Sequence, residues 1–345
     1  MEFVSYSDLD QLPASAENLF ASGAKESVFF SRPWFENLVR NHLTRKQNIQ
    51  FIGVAEDNQL LALLVLNKAE GDHYESLPHL YSSLYTLLIA ETDSQAILGC
   101  LVTGLKSLPV RSLTLSPVAS DDKQIEALQY ALEKAGFCCS RKFRFYNWKE
   151  DTKEKSFLDY FAQRPSRLRN TIHRKQRKLQ REQGYDIRLY EQDDLEQGLN
   201  DFDRVQRASW KANEQFADFV KGLAHSLAGV GWLRLAVMYV KSKPVAAQFW
   251  FVVHKKASIF KLSYDEGWKK YSPGSILLTY LMQHVIDVDA VEEIDFLTGN
   301  DAYKSDWMSD RRERWMLHCA NTAWKESSNK SLYARVKQRL MPGRG

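Results

Sequence analysis

The sequence lacks the patterns that mark metal-binding, nucleotide-hydrolysing and serine-nucleophile proteins. It has no C-x-x-C pair and no histidine pair at zinc spacing, so we expect no metal site. The G-x-S-x-G and Walker patterns are also missing. Adjacent Cys138 and Cys139 point to opposite faces of a predicted strand, and we predict that both are reduced packing residues.

Long apolar runs are scarce as well. Near the N-terminus the longest apolar block is Leu60–Leu66, which is far too short to cross a bilayer. The opening MEFVSYSDLD is acidic and has neither the basic region nor the apolar core of a secretory signal. We therefore expect no membrane span and a cytoplasmic location.

The composition is that of a globular protein. Hydrophobic residues make up 44% and charged residues 26%, which excludes a disordered or fibrous chain. With 345 residues the chain is long enough for two domains. The net charge of +4 is a weak indication of an anionic partner.

The stretch from Gly231 to Lys304 carries the clearest pattern of the chain. Three β-branched and aromatic runs follow one another with only short polar links between them, which predicts neighbouring antiparallel strands. These runs are Trp232–Val240, Val245–Val253 and Ser258–Tyr264.

A loop and a helix follow the third run. Apolar residues recur at helical spacing through Ile276–Val288, and Pro273 falls in the first turn. Free N–H groups at a helix start, a nearby glycine and two lysines suit a phosphate, although an ordinary capped helix can begin with the same residues. The candidate phosphate-binding residues are Lys269, Lys270, Ser272 (also the predicted cap), Gly274 and Ser275.

A fourth predicted strand, Glu292–Leu297, comes after the helix and ends in a polar loop that runs to Lys304. The order of three antiparallel strands, phosphate loop, helix, strand and polar loop resembles the GNAT acyltransferases. Together with SRLRN, SWK and RRERW, the segment IDFLTG…YK is similar to the CelD/BcsL-type acetyltransferase family, which is named for an association with cellulose synthesis and is related in fold to the Fem aminoacyl transferases. The resemblance covers roughly Pro165 to His318.

The first half of the chain has a similar order of elements: helix, strands, helix, strand, helix, strand. Paired GNAT-like halves are what the Fem-type resemblance implies, so the expected fold is α/β (α+β), with tandem domains that each have a mixed, mostly antiparallel sheet flanked by helices. The segment before the central helix of the first half, Ile89–Ser94, is acidic where a phosphate would sit. We predict a degenerate GNAT-like domain without a phosphate loop at 1–150, an acyltransferase domain at 156–325 and a basic C-terminal helix or tail at 326–345.

The resemblance also implies a site. In the GNAT arrangement the third and fourth core strands splay apart, and the acyl-pantetheine arm lies between them. Asp295 or Asp301 would take the proton of the acceptor, and Tyr303 would protonate the leaving sulfur. Lys261 and Lys304 would hold an anionic group of the acceptor.

Gln248 and Trp210 are two further candidates for the acceptor site. Gln248 interrupts an apolar strand, as Lys261 and Asp295 also do, so these three side chains either line a cleft or face water. Trp210 either walls an acceptor pocket or belongs to the core.

The segment RPSRLRNTIHRKQRKLQR, residues 164–181, predicts a helix with a narrow apolar stripe and eight Lys or Arg residues. Such a helix either binds phosphates, including those of tRNA, or forms a solvated face.

Three functions follow from these patterns. The first is acyl transfer, as by an N-acetyltransferase, from acetyl-CoA or another acyl-CoA to an amine or hydroxyl of a small molecule or of an anionic, sugar-nucleotide or other cell-envelope polysaccharide precursor. The second is a Fem-like transfer of an aminoacyl group from tRNA. The third is a non-catalytic accessory protein of polysaccharide synthesis.

Overall fold

Mixed β-sheet flanked by helices makes up most of the structure, a computed structural model that describes residues 1–41, 48–77, 79–210 and 214–324. In chain order the first half contains β1 (Glu2–Tyr6), α1 (Ala16–Glu26), α2 (Arg32–Asn41), β2 (Ile49–Glu56), β3 (Gln59–Ala69), β4 (His73–Ser76), β5 (Leu88–Ile89), α3 (Ser94–Ser107), β6 (Ser112–Ala119), α4 (Lys123–Lys134) and β7 (Phe137–Asp151).

The second half contains α5 (Phe157–Ala162), α6 (Ser166–Glu182), β8 (Asp186–Tyr190), α7 (Leu195–Ala208), α8 (Ala217–Gly229), β9 (Leu233–Val240), β10 (Lys243–Val253), β11 (Lys256–Tyr264), α9 (Pro273–Asp287), β12 (Glu293–Thr298), α10 (Lys304–Trp307) and β13 (Asp310–Asn321). In the described part of the chain, no helix is long and apolar enough to cross a membrane.

The described residues divide into two compact units. One unit is made of residues 1–22, 48–144 and 314–324, and the other of residues 23–41 and 145–313. Neither unit is one continuous stretch, whereas the domains predicted at 1–150 and 156–325 are continuous. As a division into functional domains those ranges stay a prediction, and the predicted tail at 326–345 lies outside the described residues.

The first unit has the strand order β1-β2-β3-β4-β6-β13, with β5 beside β3. Strands β2 to β4 are antiparallel, and β6 returns parallel to β4 after α3. The first turn of α3 is capped by its own chain, because Asp93 accepts a hydrogen bond from the N–H of Ala96 at 3.3 Å. A carboxylate therefore occupies the helix end where the GNAT arrangement would place a phosphate.

A disulfide corrects one prediction in the first unit. Cys139 of β7 is bonded to Cys319 of β13, with their Cα atoms 4.0 Å apart. The expectation that Cys139 is reduced is therefore wrong, because the fold brings together two cysteines that are 180 residues apart in the sequence. Cys138, which points the other way, is free and exposed.

The second unit has the strand order β7-β12-β11-β10-β9-β8. The links β9–β10 and β10–β11 turn through Lys241–Ser242 and His254–Lys255, and all four residues have positive φ. Turns of this kind match the twist of a hairpin, so they fix β9, β10 and β11 as antiparallel neighbours. The predicted order of three antiparallel strands, helix and fourth strand is confirmed by β9 to β12, and the fourth strand pairs in parallel with β11.

Both faces of this sheet are covered. On one face Trp250 and Ile259 join Leu277 and Leu281 of α9 in a core that includes Ile172 and Leu179 of α6. On the other face α7, with Phe202 and Val205 buried, packs on β10. Since consecutive strand residues point to opposite faces, β10 is apolar at nearly every position, and the buried Gln248 is an exception.

Candidate active site

Strands β11 and β12 run side by side for only a short distance. They pair in parallel at three positions, Lys256 to Ser258 against Glu293 to Asp295, and then they separate. On its other edge β11 pairs with β10, where Phe249 faces Lys261 and the next residue, Trp250, faces Ile259. Phe260 is therefore an extra residue in β11. A bulge of this kind bends a strand, which accounts for the separation. The predicted splay of these two strands is therefore present.

A cavity of about 270 Å³ lies at the far ends of the two diverging strands. Its walls come from the end of β11, the first turns of α9, the end of α7 and the segment after β12. Five of the predicted site residues line it: Trp210, Gln248, Gly274, Ser275 and Tyr303. The predicted core alternative for Trp210 is wrong, since this residue is 71% exposed.

Sequence patterns missed six residues of this cavity: Ser209, Leu262, Ser263, Tyr264, Leu278 and Trp307. Two of them, Ser263 and Tyr264, end the strand that contains Lys261, and their polar side chains are the signal that could have identified them. Tyr264 packs closely against Gly274: a Cβ added to this glycine would lie 3.2 Å from Cδ1 of the tyrosine ring.

The start of α9 differs from a helix capped by its own side chain. Ser272 has φ of 56° and its side chain makes no capping bond, which corrects its predicted role as a side-chain cap. Its carbonyl oxygen accepts hydrogen bonds from the N–H groups of Ser275 and Ile276. The Nε2 of Gln248 donates to the carbonyl of Gly274 at 2.8 Å, which ties the helix start to β10. Gln248 thus helps to position this turn.

The two lysines before α9 lie in a short 3-10 helix, Glu266–Tyr271. Both are exposed, and Lys269 forms an ion pair with Glu266 at 3.5 Å. Helix α6 reaches the same place, since the Lys175 ammonium donates to the carbonyl oxygen of Lys270. The predicted phosphate-binding lysines and the basic helix therefore share one surface.

Tyr303 stands just after β12, with its ring 5.7 Å from the ring of Phe296. Tyr303 is 46% exposed, but the burial of the rest of its side chain and, to a smaller extent, the charge of Asp301 raise the pKa of Tyr303 to about 12. The phenol is therefore protonated at neutral pH and can donate a hydrogen bond. Asp301 lies near Tyr303 but outside the cavity lining; its side chain is 62% exposed, and its Oδ2 is 3.8 Å from the Nζ of Lys304.

Asp295 lies outside the lining of the cavity, and its carboxylate is engaged by other protein groups. It accepts hydrogen bonds from the Nδ2 of Asn147, from the N–H of Leu297 and from Arg312, each at 2.6 Å. Burial alone lowers the pKa of Arg312, but the charges of Asp295 and Glu293 outweigh it and raise this pKa above its usual value. The geometry favours a structural role for Asp295 over proton transfer.

That structural role concerns a strained turn in β12. The pairing of β12 with β7 shifts register between Asp295 and Thr298, and Leu297 has φ of 52°. Such a backbone conformation is costly for leucine. The N–H of Leu297 donates a hydrogen bond to Asp295, and the Nδ2 of Asn147 donates to the carbonyl oxygen of Leu297 at 2.9 Å. These two bonds fix the bulge from which the chain continues to Tyr303.

Neither predicted acceptor lysine lines the cavity. The ammonium of Lys304 is buried and donates to the carbonyls of Phe296 at 3.1 Å and Thr298 at 2.7 Å. Lys261 forms an ion pair with Glu214. Both lysines are therefore engaged by protein groups, and no cluster of metal-binding side chains occurs among residues 1–41, 48–77, 79–210 and 214–324.

Comparison with known proteins places this geometry in a family context. Residues 166–305, less than half of the chain, match the model of the acetyltransferase (GNAT) domain. Comparison with curated proteins gives no match.

Several solved structures are similar in fold. FemX superposes with a TM-score of 0.64 at 10% identity, over 92% of this chain and 97% of FemX. The C-terminal domain of a putative lysylphosphatidylglycerol synthetase from Agrobacterium fabrum gives 0.54 at 13% identity, over 91% and 96% of the two chains. A tandem GNAT protein from the clavulanic acid biosynthesis pathway gives 0.51 at 12% identity, over 92% and 98%.

Identities this low establish the fold and leave the activity open. The likeness to a tandem GNAT protein and the sheets of the two units confirm the predicted fold class. Residues 166–305 are thus similar to the acetyltransferase domain of the GNAT superfamily.

Proposed function

We propose that this protein is an acyltransferase that takes its acyl group from acetyl-CoA or another acyl-CoA. The observation that carries the proposal is the separation of β11 from β12 after three residue pairs, with a cavity at the wide end of the gap. Backbone groups of β11 beyond Ser258 lie along this gap, so they can bind the amide groups of a pantetheine arm.

The diphosphate of the donor would lie at the start of α9. The positive dipole end of a helix attracts phosphate, and Ser272 leaves this end without a side-chain cap. Because Pro273 has no N–H and those of Ser275 and Ile276 bond to the carbonyl oxygen of Ser272, the N–H of Gly274 is the backbone donor that would face the diphosphate. Ser275 supplies a hydroxyl at the cavity, and the exposed Lys269 and Lys270, in the 3-10 helix just before α9, would supply positive charge. Gly274 keeps the backbone accessible there.

The reaction would take place at the cavity. A neutral amine or hydroxyl of the acceptor attacks the thioester carbonyl, a C–N or C–O bond forms, and the C–S bond breaks. Asp301, directly or through water, takes the proton of the acceptor. Tyr303 donates a hydrogen bond to the departing thiolate, which stabilises the charge that develops on sulfur.

The acceptor is proposed to be a small molecule or a precursor of a cell-envelope polysaccharide, in line with the resemblance to the CelD/BcsL-type family. The cavity of about 270 Å³ lies just below the usual range for ligand pockets, about 300–1,000 Å³, so only the reacting end of an acceptor fits inside. Trp210, Ser263 and Tyr264 would contact this end. An anionic acceptor would reach Lys261 or Lys304 only if it displaced their present partners. The cytoplasmic location stays a prediction.

Helix α6 favours a second candidate, transfer of an aminoacyl group from tRNA. Its seven Lys and Arg residues, from Arg167 to Arg181, continue the positive surface of Lys269 and Lys270. Tyr303 is consistent with such a donor too. An ester donor releases an alkoxide, which is more basic than a thiolate and takes up a proton more readily from a phenol of pKa about 12.

Titration of the protein with acetyl-CoA and with an aminoacyl-tRNA tests the proposal. We expect acetyl-CoA to bind, and we expect Gly274→Val to weaken this binding at least about tenfold, because the added isopropyl group would fill the approach to the helix start. Gly229→Val is the matched control, since a Cβ at this last residue of α8 meets open space.

Three results would contradict the acyl-CoA proposal. Unchanged acetyl-CoA binding by Gly274→Val would show that the helix start holds no diphosphate. Binding of aminoacyl-tRNA alone, falling steeply with salt, would support the second candidate. If neither donor binds, a non-catalytic accessory role is favoured.

A further inference from the structure

A second cavity, of about 390 Å³, lies on the opposite face of α9 from the candidate active site. Ile276, Thr279 and Tyr280 face it, whereas Gly274, Ser275 and Leu278 face the active-site cavity. At 100° per residue these two sets point in opposite directions from the helix axis. No residue of this second cavity has a part in the proposed acyl transfer.

The cavity is lined mostly by apolar side chains. Phe157 and Phe161 of α5, Ile187 of β8 and Ile276 of α9 form its walls. The Leu158 side chain, also in the lining, is 76% exposed. A single exposed leucine is common on protein surfaces, but here it extends an apolar wall that is open to solvent.

The charged side chain of the cavity is Arg169 of α6, and no Asp or Glu is among its lining residues, all of which lie in the described part of the chain. The Nε of Arg169 donates to the carbonyl of Arg164 at 3.1 Å, which directs the guanidinium but leaves its two Nη groups to bind an anion. His173 of the same helix also lines the cavity, and its ring lies 5.7 Å from the ring of Phe161, so polar and apolar groups meet at one point.

The volume limits the size of a ligand. At about 30 Å³ for each heavy atom in a liquid-like packing, the cavity has room for about a dozen heavy atoms. A carboxylate on an unbranched chain of about ten carbons has this size.

We propose that this cavity binds a free single-chain carboxylate. The carboxylate group of this ligand pairs with the Nη groups of Arg169, and the hydrocarbon chain of the ligand lies along Phe157, Phe161 and Ile276. This site is independent of the acyl donor, because α9 separates it from the candidate active site.

Calorimetry with decanoate and with decanol tests the proposal. Decanoate binds the wild-type protein more tightly than decanol. Arg169→Gln weakens decanoate about tenfold and leaves decanol unchanged, since only the carboxylate makes charged hydrogen bonds. Arg174→Gln is the matched control, because this exposed arginine of the same helix is not part of the cavity. Equal affinity of the wild-type protein for both ligands would overturn the proposal.

Ala162→Trp provides a second variant that does not alter the core, since Ala162 is an exposed residue at the end of α5 that lines the cavity. It fills the cavity and abolishes binding of both ligands, with the melting temperature unchanged. Loss of decanoate binding in Gly274→Val, with retention in Ala162→Trp, would place the ligand in the active-site cavity and contradict the proposal. Co-sedimentation with phosphatidylglycerol vesicles that Ala162→Trp abolishes would assign the cavity to a membrane surface and would also contradict it.

Discussion

We expect Tyr303→Phe to lower kcat about 100-fold while the Kd of acyl-CoA changes less than about twofold. The hydroxyl is placed to donate to the leaving sulfur, a contact that strengthens only as charge develops in the transition state. The ring itself, which packs against Phe296, is kept by phenylalanine, so donor binding is retained. Steady-state kinetics, together with calorimetric titration of the donor, separate these two effects.

The pH profile adds an independent test of this role. Because the pKa of Tyr303 is about 12, the hydroxyl keeps its proton throughout the range from about pH 7 to about pH 10, and the wild-type rate should show no fall from its ionisation there. Tyr130→Phe is the control, since Tyr130 is a surface residue of α4 that is 60% exposed. Equal losses of kcat and donor affinity in Tyr303→Phe would remove the proposed role.

Arg312→Met is expected to lower the free energy of unfolding by about 3–5 kcal/mol at neutral pH. Arg312 contacts Asp295 at 2.6 Å and Glu293 at 2.9 Å, and its Nε donates to the Oδ1 of Asn147 at 2.7 Å. Its removal leaves two carboxylates close together without their shared cation. Denaturant unfolding monitored by fluorescence measures the loss.

Arg167→Met is the control, since its ion pair with Asp306 involves an arginine side chain that is 81% exposed and should contribute less than about 1 kcal/mol. A loss in Arg312→Met no larger than in this control would contradict the structural role of the Arg312 network.

Local patterns predicted the elements of the second unit well, because hairpins and amphipathic helices are specified by neighbouring residues. The strand spacing gave β9 to β12, and the Pro-Gly pair located the start of α9. Gln248 is a site candidate because a polar residue in an apolar strand is unusual, and Tyr303 is one because the resemblance to GNAT enzymes implies a tyrosine just after the fourth strand. Both line the cavity.

The misplaced residues are those whose partners are distant in sequence. Asp295 was interpreted as a cleft residue, but its partners Asn147 and Arg312 come from other strands, and no local pattern shows them. The same holds for Lys261 with Glu214 and for Cys139 with Cys319. A polar interruption in a strand can thus be satisfied by a buried network as readily as by a ligand.

Hydrogen exchange of backbone amides, measured with and without acetyl-CoA, is the sharpest test of donor binding between β11 and β12. We expect slower exchange on binding in β11 from Ile259 to Tyr264 and in the first turn of α9, because the pantetheine arm and the diphosphate would cover these groups. Unchanged exchange in both segments, when calorimetry shows acetyl-CoA to be bound, would show that the donor lies elsewhere.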